Sequence, residues 1–172
     1  WAMKAPALSK LRSELIPFAE GKVLEVGIGS GLNLPHYADI SELIALEPSE
    51  ELLVFAEEMS QQPKFPSEML KAKAEDIPLE SNVFDTVVMT WTLCSVTDPI
   101  SALSEIRRVI KPGGKVIFAE HGESPDENIK KWQSRINPVW SRVAGGCQLN
   151  REIERLYESS GFKFKSIEKG YL

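Results

Sequence analysis

The residues whose types and spacing could do chemistry begin with Glu25-Val26-Gly27-Ile28-Gly29-Ser30-Gly31, followed by Glu47-Pro48, by Glu75-Asp76 and by two histidines, His36 and His121. Glycines at 27, 29 and 31 permit a tight turn and let a ligand lie against bare backbone. Glu47 comes 20 residues after Gly27, where a carboxylate would hold the two hydroxyls of a ribose. Glu75 and Asp76 add acceptors for the amino group of an adenine. Singly, each feature is ordinary: a glycine turn, or a solvated carboxylate at a strand end. In this order on consecutive strands they point to a nucleoside site.

Charge decides which nucleoside fits. Between Val23 and Pro63 there is no Lys or Arg, whereas Glu25, Asp39, Glu42, Glu47, Glu50, Glu51, Glu57 and Glu58 are all acidic. A pyrophosphate would be repelled there, with only a helix N-terminus to offset the repulsion. The dinucleotide fingerprint also wants a small residue at its sixth position, and Leu32 stands there. A cationic nucleoside such as S-adenosylmethionine, with a sulfonium and an ammonium against one carboxylate, suits an acidic pocket. A helix opened by the glycine loop is expected to receive its carboxylate.

These groups need elements to position them. Six apolar runs read as strands: Lys22 to Val26, Leu43 to Glu47, Met69 to Lys73, Phe84 to Thr90, Lys115 to Glu120 and Phe162 to Glu168. Helical periodicity separates them, which predicts a doubly wound, mostly parallel α/β sheet. Asp98 with Pro99, Ser49 and Asn150 are expected N-caps, and residues 7 to 20 an N-terminal helix. No repeat or linker divides residues 1–172, so a single domain is expected, with 124–149 inserted between the fifth strand and the last helix.

The bulk composition narrows the class further. The 172 residues carry 20 basic and 25 acidic side chains, net −5, which argues against nucleic acid as a partner. Residues 1–100 hold 7 basic and 16 acidic groups, and 101–172 hold 13 and 9. Two cysteines, Cys94 and Cys147, are too few for a disulfide framework, and no apolar run is long enough to span a bilayer. A reduced, cytoplasmic setting is expected. With no histidine cluster evident in sequence, no metal site is expected either.

The runs V-L-E-V-G-I-G-S-G, L-I-A-L-E-P, A-E-D-I-P, F-D-T-V-V-M-T-W-T-L-C-S-V and L-S-E-I-R-R-V-I-K-P-G-G-K together resemble a class I S-adenosylmethionine-dependent methyltransferase over about residues 21 to 122. The resemblance implies a Rossmann-like sheet with the cofactor across the carboxyl ends of strands one to four. It implies that Glu25, Gly27, Gly29 and Gly31 face the methionine part, Glu47 and Pro48 the ribose, Glu75 and Asp76 the adenine, and Thr90 with Trp91 the floor near the reacting carbon. The family's seventh, antiparallel strand is expected to lie outside this sequence, which stops at Tyr171-Leu172.

A narrower likeness, to the branch that includes alkyl-thiol S-methyltransferases, runs through L-C-S-V, E-H at 120–121, W-Q at 132–133, N-P-V-W at 137–140 and G-G-C-Q-L-N-R at 145–151. It implies a small, largely apolar acceptor, a thiol foremost; a quinone-like carbon, a phenol or an amine such as a lipid head group is the alternative. The animal members carry an N-terminal apolar anchor that is not read in these residues, so membrane attachment is not expected. His121 is the expected base or orienting group, and Cys94 reads as a small core residue. His36, Trp132, Trp140 and Cys147 are expected to line the acceptor space. Ile129, Trp132, Ile136, Trp140 and Val143 form an apolar helical stripe, read as a lid over the acceptor or as a helix simply packed on the sheet. Contact with an anionic membrane surface is a weaker reading of the same face. A noncatalytic nucleoside-binding protein and a nicotinamide oxidoreductase are the competing classes, the latter disfavoured by Leu32 and the missing basic residues.

Overall fold

A computed structural model describes residues 2–60 and 64–170. Five strands, β1 (Gly21–Val26), β2 (Ile40–Leu46), β3 (Ser67–Leu70), β4 (Phe84–Thr90) and β5 (Ile110–Ala119), form one sheet in the order β3-β2-β1-β4-β5. Every pairing is parallel, as in Val26 beside Leu46 and Met89, or Thr90 beside Ala119. The helices are α1 (Pro6–Leu15), α2 (Glu50–Met59), α3 (Pro99–Val109), α4 (Glu127–Val143) and α5 (Ile153–Ser159).

Strand alternation divides the core in two. Leu24, Val26, Val87 and Met89 face α3 and α5 through Leu103, Ile106 and Tyr157. Val23, Leu43, Ala45 and Val88 face the other side, against Ile16, Tyr37 and Ala56. Because β2 and β4 flank β1 on opposite sides, their connections leave in opposite directions, and a crevice opens beyond the carboxyl ends of β1 and β4.

Local signals place the ends of several elements. Ser49 Oγ accepts from the Leu52 N–H, and Asp98 accepts from Ile100 and Ser101 with Pro99 opening α3, as expected. Pro17 stops the N-terminal helix early, leaving α1 and a 3-10 turn at Ile16–Phe18. Asn150 does not cap α5: the Arg151 carbonyl is engaged by the Glu123 and Ile153 N–H groups, so the helix starts later, behind Glu152.

Two expected elements are absent among the described residues. Phe162 to Glu168 is not a strand; Phe162 and Phe164 instead pack on Tyr157, and Phe164 on Phe118, so the aromatic alternation is used for burial rather than for a ladder. Tyr171-Leu172 lie outside the described residues. The glycine loop does not open an α-helix either. Successive i to i+3 bonds (Gly31 N–H to Ile28, Leu34 to Gly31, His36 to Asn33) lead into a 3-10 turn at Leu34–His36, and Pro35 supplies no N–H to extend it.

Candidate functional site

The glycine loop leaves β1 with its first two N–H groups, Gly27 and Ile28, both donating to the Leu46 carbonyl, which fastens it to the end of β2. Gly27 (φ +76°) is required by packing, since a Cβ there would lie 2.4 Å from Thr92 Oγ1. Gly29 (φ +56°) differs: a Cβ would meet nothing within 4 Å, so its backbone borders open space. Gly31 packs on Leu34 and Ala56, away from that opening.

Carboxylates surround this space. Glu47 accepts from the Gly29 N–H and from the Ser49 N–H, each at 3.0 Å, and so ties the loop to the start of α2. Pro48 beside it is exposed. Glu25 is buried, accepting from Asn33 Nδ2 and the Tyr37 hydroxyl at 2.8 Å each, and burial raises its pKa to about 7 against those bonds. Asn33 Nδ2 also donates to Thr90 Oγ1, which joins the loop to the end of β4. Glu75 accepts from the Thr97 and Asp98 N–H groups and clasps the entry to α3, whereas Asp76 is exposed, with the Arg108 charge near it.

A cation the sequence reading did not single out completes this end. Arg12 on α1 is only 4% exposed; its guanidinium stacks 4.6 Å above the Trp91 ring and its Nη1 donates to the Met3 carbonyl. Trp91 itself holds φ +55°, a left-handed conformation costly for an aromatic residue and typical of functional positions. Arg12 Nε and Asn33 Oδ1 are buried with no hydrogen-bond partner: one unsatisfied donor and one unsatisfied acceptor. The helix N-terminus expected to receive a carboxylate does not form, and Arg12 supplies positive charge instead. His36 is half-buried, and burial and the Arg12 charge lower its pKa, which puts it on the glycine-loop side.

A second group forms at the ends of β4 and β5. Cys94, His121 and Cys147 present ligand-type atoms that all lie within 4.8 Å of one another, with Cys147 Sγ 3.5 Å from His121 Nδ1. This corrects the expectation that the cysteines have no histidine beside them. Of the two thiols, Cys147 is held below its usual pKa by the bonds from Cys94 and His121, Cys94 is pushed up, and His121 is raised by Cys147. The Glu120 carboxylate gathers the Thr92, Leu93 and Cys94 N–H groups, and burial raises its pKa to about 7. Nothing in the spacing of 94, 121 and 147 announces the cluster; it arises because β4, β5 and the loop after α4 end together.

The 124–149 segment carries one helix, α4, followed by a loop, and the inward face of the helix is polar. Gln133 accepts from the Ser124 N–H and donates to the Gly122 carbonyl, and buried Asn137 bonds Gln148 and Leu149. Trp140 reaches Cys147 while remaining partly exposed. Trp132, 63% exposed with Arg135 beside its ring, is not brought to the site, and Ile136, Val139 and Val143 are likewise exposed. Two polar anchors thus set the rotation of the helix and turn the apolar stripe outward, contrary to the expectation of an inward-facing lid.

Residues 24–118 match the family model described as "Methyltransferase domain". The human protein named thiol S-methyltransferase TMT1B is 34% identical over 157 residues, covering 88% of this chain and 64% of that protein. A phosphatidylethanolamine N-methyltransferase from Cereibacter sphaeroides is 37% identical over 105 residues, covering 59% of this chain and 51% of the relative. The chain thus spans a little under two-thirds of the human protein's length. Among solved structures, a SAM-dependent methyltransferase from Thermotoga maritima superposes with a TM-score of 0.68 at 27% identity, covering 91% of this chain and 69% of that one.

Proposed function

The chain belongs to the class I S-adenosylmethionine-dependent methyltransferases, and from that premise we propose that it methylates the thiol of a small, largely apolar acceptor. The observation that carries the donor half is that Arg12 Nε, a buried donor, and Asn33 Oδ1, a buried acceptor, both lack a hydrogen-bond partner on side chains that neighbour Glu25. An amino-acid zwitterion answers both: its carboxylate suits Arg12 Nε, and its ammonium suits Asn33 Oδ1 and Glu25. Gly29 offers the open backbone a nucleoside needs, Glu47 keeps lone pairs free for ribose hydroxyls, and the exposed Asp76 after β3 is assigned to an adenine amino group. The residues present therefore fit the family's methyl donor.

S-adenosylmethionine, when bound, supplies a methyl group on a sulfonium that departs as a neutral thioether. The chain's own work is alignment and exclusion of water. Thr90 and Trp91 close the floor, and Arg12 on α1 seals the loop side while neutralising charge. His121 directs Nδ1 at Cys147, so of its two expected roles we assign it the orienting one. A thiol of ordinary pKa is about a few per cent thiolate at neutral pH, enough for turnover without a strong base.

The thiol assignment draws support from the likeness to thiol S-methyltransferases. An amine acceptor is the second reading, favoured by the 37% identity to a phosphatidylethanolamine N-methyltransferase. Incubating the chain with the donor and a panel of alkyl thiols, phenols and amines, with methylated products read by mass spectrometry, separates the two. Methylated thiols are expected; methylation confined to amines or phenols overturns the thiol assignment, and donor binding without any turnover overturns catalysis.

A further inference from the structure

We propose that Cys94, His121 and Cys147 form a binding site for a soft divalent transition-metal cation, zinc foremost, whose fourth coordination position takes the acceptor as a thiolate. The fourth-position half rests on the thiol reading above; the metal half does not. A tetrahedral zinc ion with Zn–S of about 2.3 Å and Zn–N of about 2.0–2.1 Å has sulfur–nitrogen edges of about 3.5 Å and sulfur–sulfur edges of about 3.8 Å. The Cys147 Sγ to His121 Nδ1 separation is already 3.5 Å, and all three ligand atoms lie within 4.8 Å. Closing the triangle on an ion shortens the widest separation, 4.8 Å at most, by about 1 Å.

Two of the three ligands, the cysteines, are also held from behind. Glu120 grips the Cys94 N–H at 3.0 Å, and the Gln148 N–H donates to the Cys94 carbonyl at 2.8 Å, so the loop carrying Cys147 is pinned to the segment carrying Cys94. Asn137 pins the same loop to α4 through Gln148 and Leu149. Leu8 and Trp91 share one buried cluster with both cysteines. Two thiolates and a neutral imidazole cancel a double positive charge; an acceptor thiolate in the fourth position leaves one negative charge, which the neighbouring Arg151 offsets beside the Glu120 carboxylate. Three protein ligands with one open position is the composition of a reactive zinc site, whereas structural sites are closed by four. Thiol entry would replace an S–H bond by a sulfur–metal bond, with the proton passing to solvent and the electron pair staying on sulfur.

The test is a titration of the reduced, chelator-treated chain with Co2+ under anaerobic conditions. Saturable binding is expected, with a sulfur-to-cobalt charge-transfer band and tetrahedral ligand-field absorption, both displaced by Zn2+. Cys94→Ser, Cys147→Ser and His121→Asn are each expected to weaken affinity by at least about tenfold. Thermal unfolding of each variant establishes that it is folded, and the spectrum of the unsubstituted chain stands whatever the variants do. Absence of the charge-transfer band, or its persistence in all three variants, overturns the metal site. Adding a small alkyl thiol to the cobalt-loaded chain is expected to shift that band; an unshifted band overturns the fourth-position assignment. Calorimetric binding of S-adenosylhomocysteine is measured in parallel, so that loss of the methyltransferase reading is told apart from loss of the metal site.

Discussion

The Tyr37 hydroxyl donates a hydrogen bond to Glu25 Oε2 at 2.8 Å, and both side chains are sealed from solvent. Tyr37 and Asn33 stabilise the carboxylate, and Arg12 acts in the same sense, yet burial outweighs all three and raises the Glu25 pKa to about 7. The folded chain therefore holds a proton on Glu25 between about pH 4.5 and 7 that the unfolded chain has released. Stability from this group is full below that window and is lost as pH rises through about 7. Denaturation across pH 5 to 8 is expected to show stability of the ligand-free chain falling with pH; Glu120, also raised to about 7 by burial, contributes in the same sense, so Glu25→Gln is expected to lessen the slope by its own share.

A cationic donor reverses the preference at Glu25, because an ammonium stabilises the carboxylate. Donor affinity is thus expected to rise as pH increases towards about 7, by up to about tenfold per unit, with a proton released on binding. Calorimetry in two buffers of different ionisation enthalpy measures that release. An affinity independent of pH in this range would remove Glu25 from the donor site.

Glu47 serves two partners on the protein side, the Gly29 and Ser49 N–H groups, and is assigned a third in the ribose. Glu47→Ala is expected to weaken S-adenosylhomocysteine binding by about 1 to 3 kcal/mol, through lost charge-assisted hydrogen bonds and a loosened loop. Glu47→Gln, which keeps an acceptor for one of the N–H groups, is expected to lose less. Equal affinity in all three proteins would remove the ribose assignment.

What the sequence made legible follows the range of the interactions. β4 was readable to its end residues because a buried parallel strand is a continuous apolar run, and the Ser49 and Asp98 caps were readable because a cap acts within three residues. Phe162 to Glu168 had the alternation of a strand but spends it on Tyr157 and Phe118, a choice made by distant partners. The rotation of α4 likewise depends on buried Asn137 and half-buried Gln133, polar residues whose inward placement no apolar periodicity predicts. At the site, the glycines and Glu47 stood out because motif residues are close in sequence. Arg12 and the cysteine–histidine group did not, because their partners come from separate elements that meet only at the carboxyl edge of the sheet.

Arg12 is predicted to read the amino-acid end of the donor rather than its nucleoside. Arg12→Met keeps much of the apolar stem over Trp91 while removing the charge and the unpartnered Nε. Its affinity for S-adenosylhomocysteine is expected to fall by about tenfold or more, consistent with loss of a hydrogen bond to a charged group. Affinity for methylthioadenosine, which lacks the carboxylate, is expected to be unchanged. Equal losses for both ligands would mean that Arg12 only shapes the pocket through Trp91.

Two glycines of one loop are predicted to fail differently. Gly27→Ala forces a Cβ to within 2.4 Å of Thr92 Oγ1 at a positive φ, so it is expected to destabilise the fold by about 1 to 3 kcal/mol. Gly29→Ala also carries the left-handed penalty, about 1 to 2 kcal/mol, but its Cβ meets no protein atom. The methyl group instead enters the space assigned to the donor, so this variant is expected to remain folded and to lose donor affinity well beyond its loss of stability. Thermal unfolding and calorimetric titration of the two variants side by side decide the matter. If Gly29→Ala binds S-adenosylhomocysteine as tightly as the parent chain, the open space beside residue 29 is not where the donor lies.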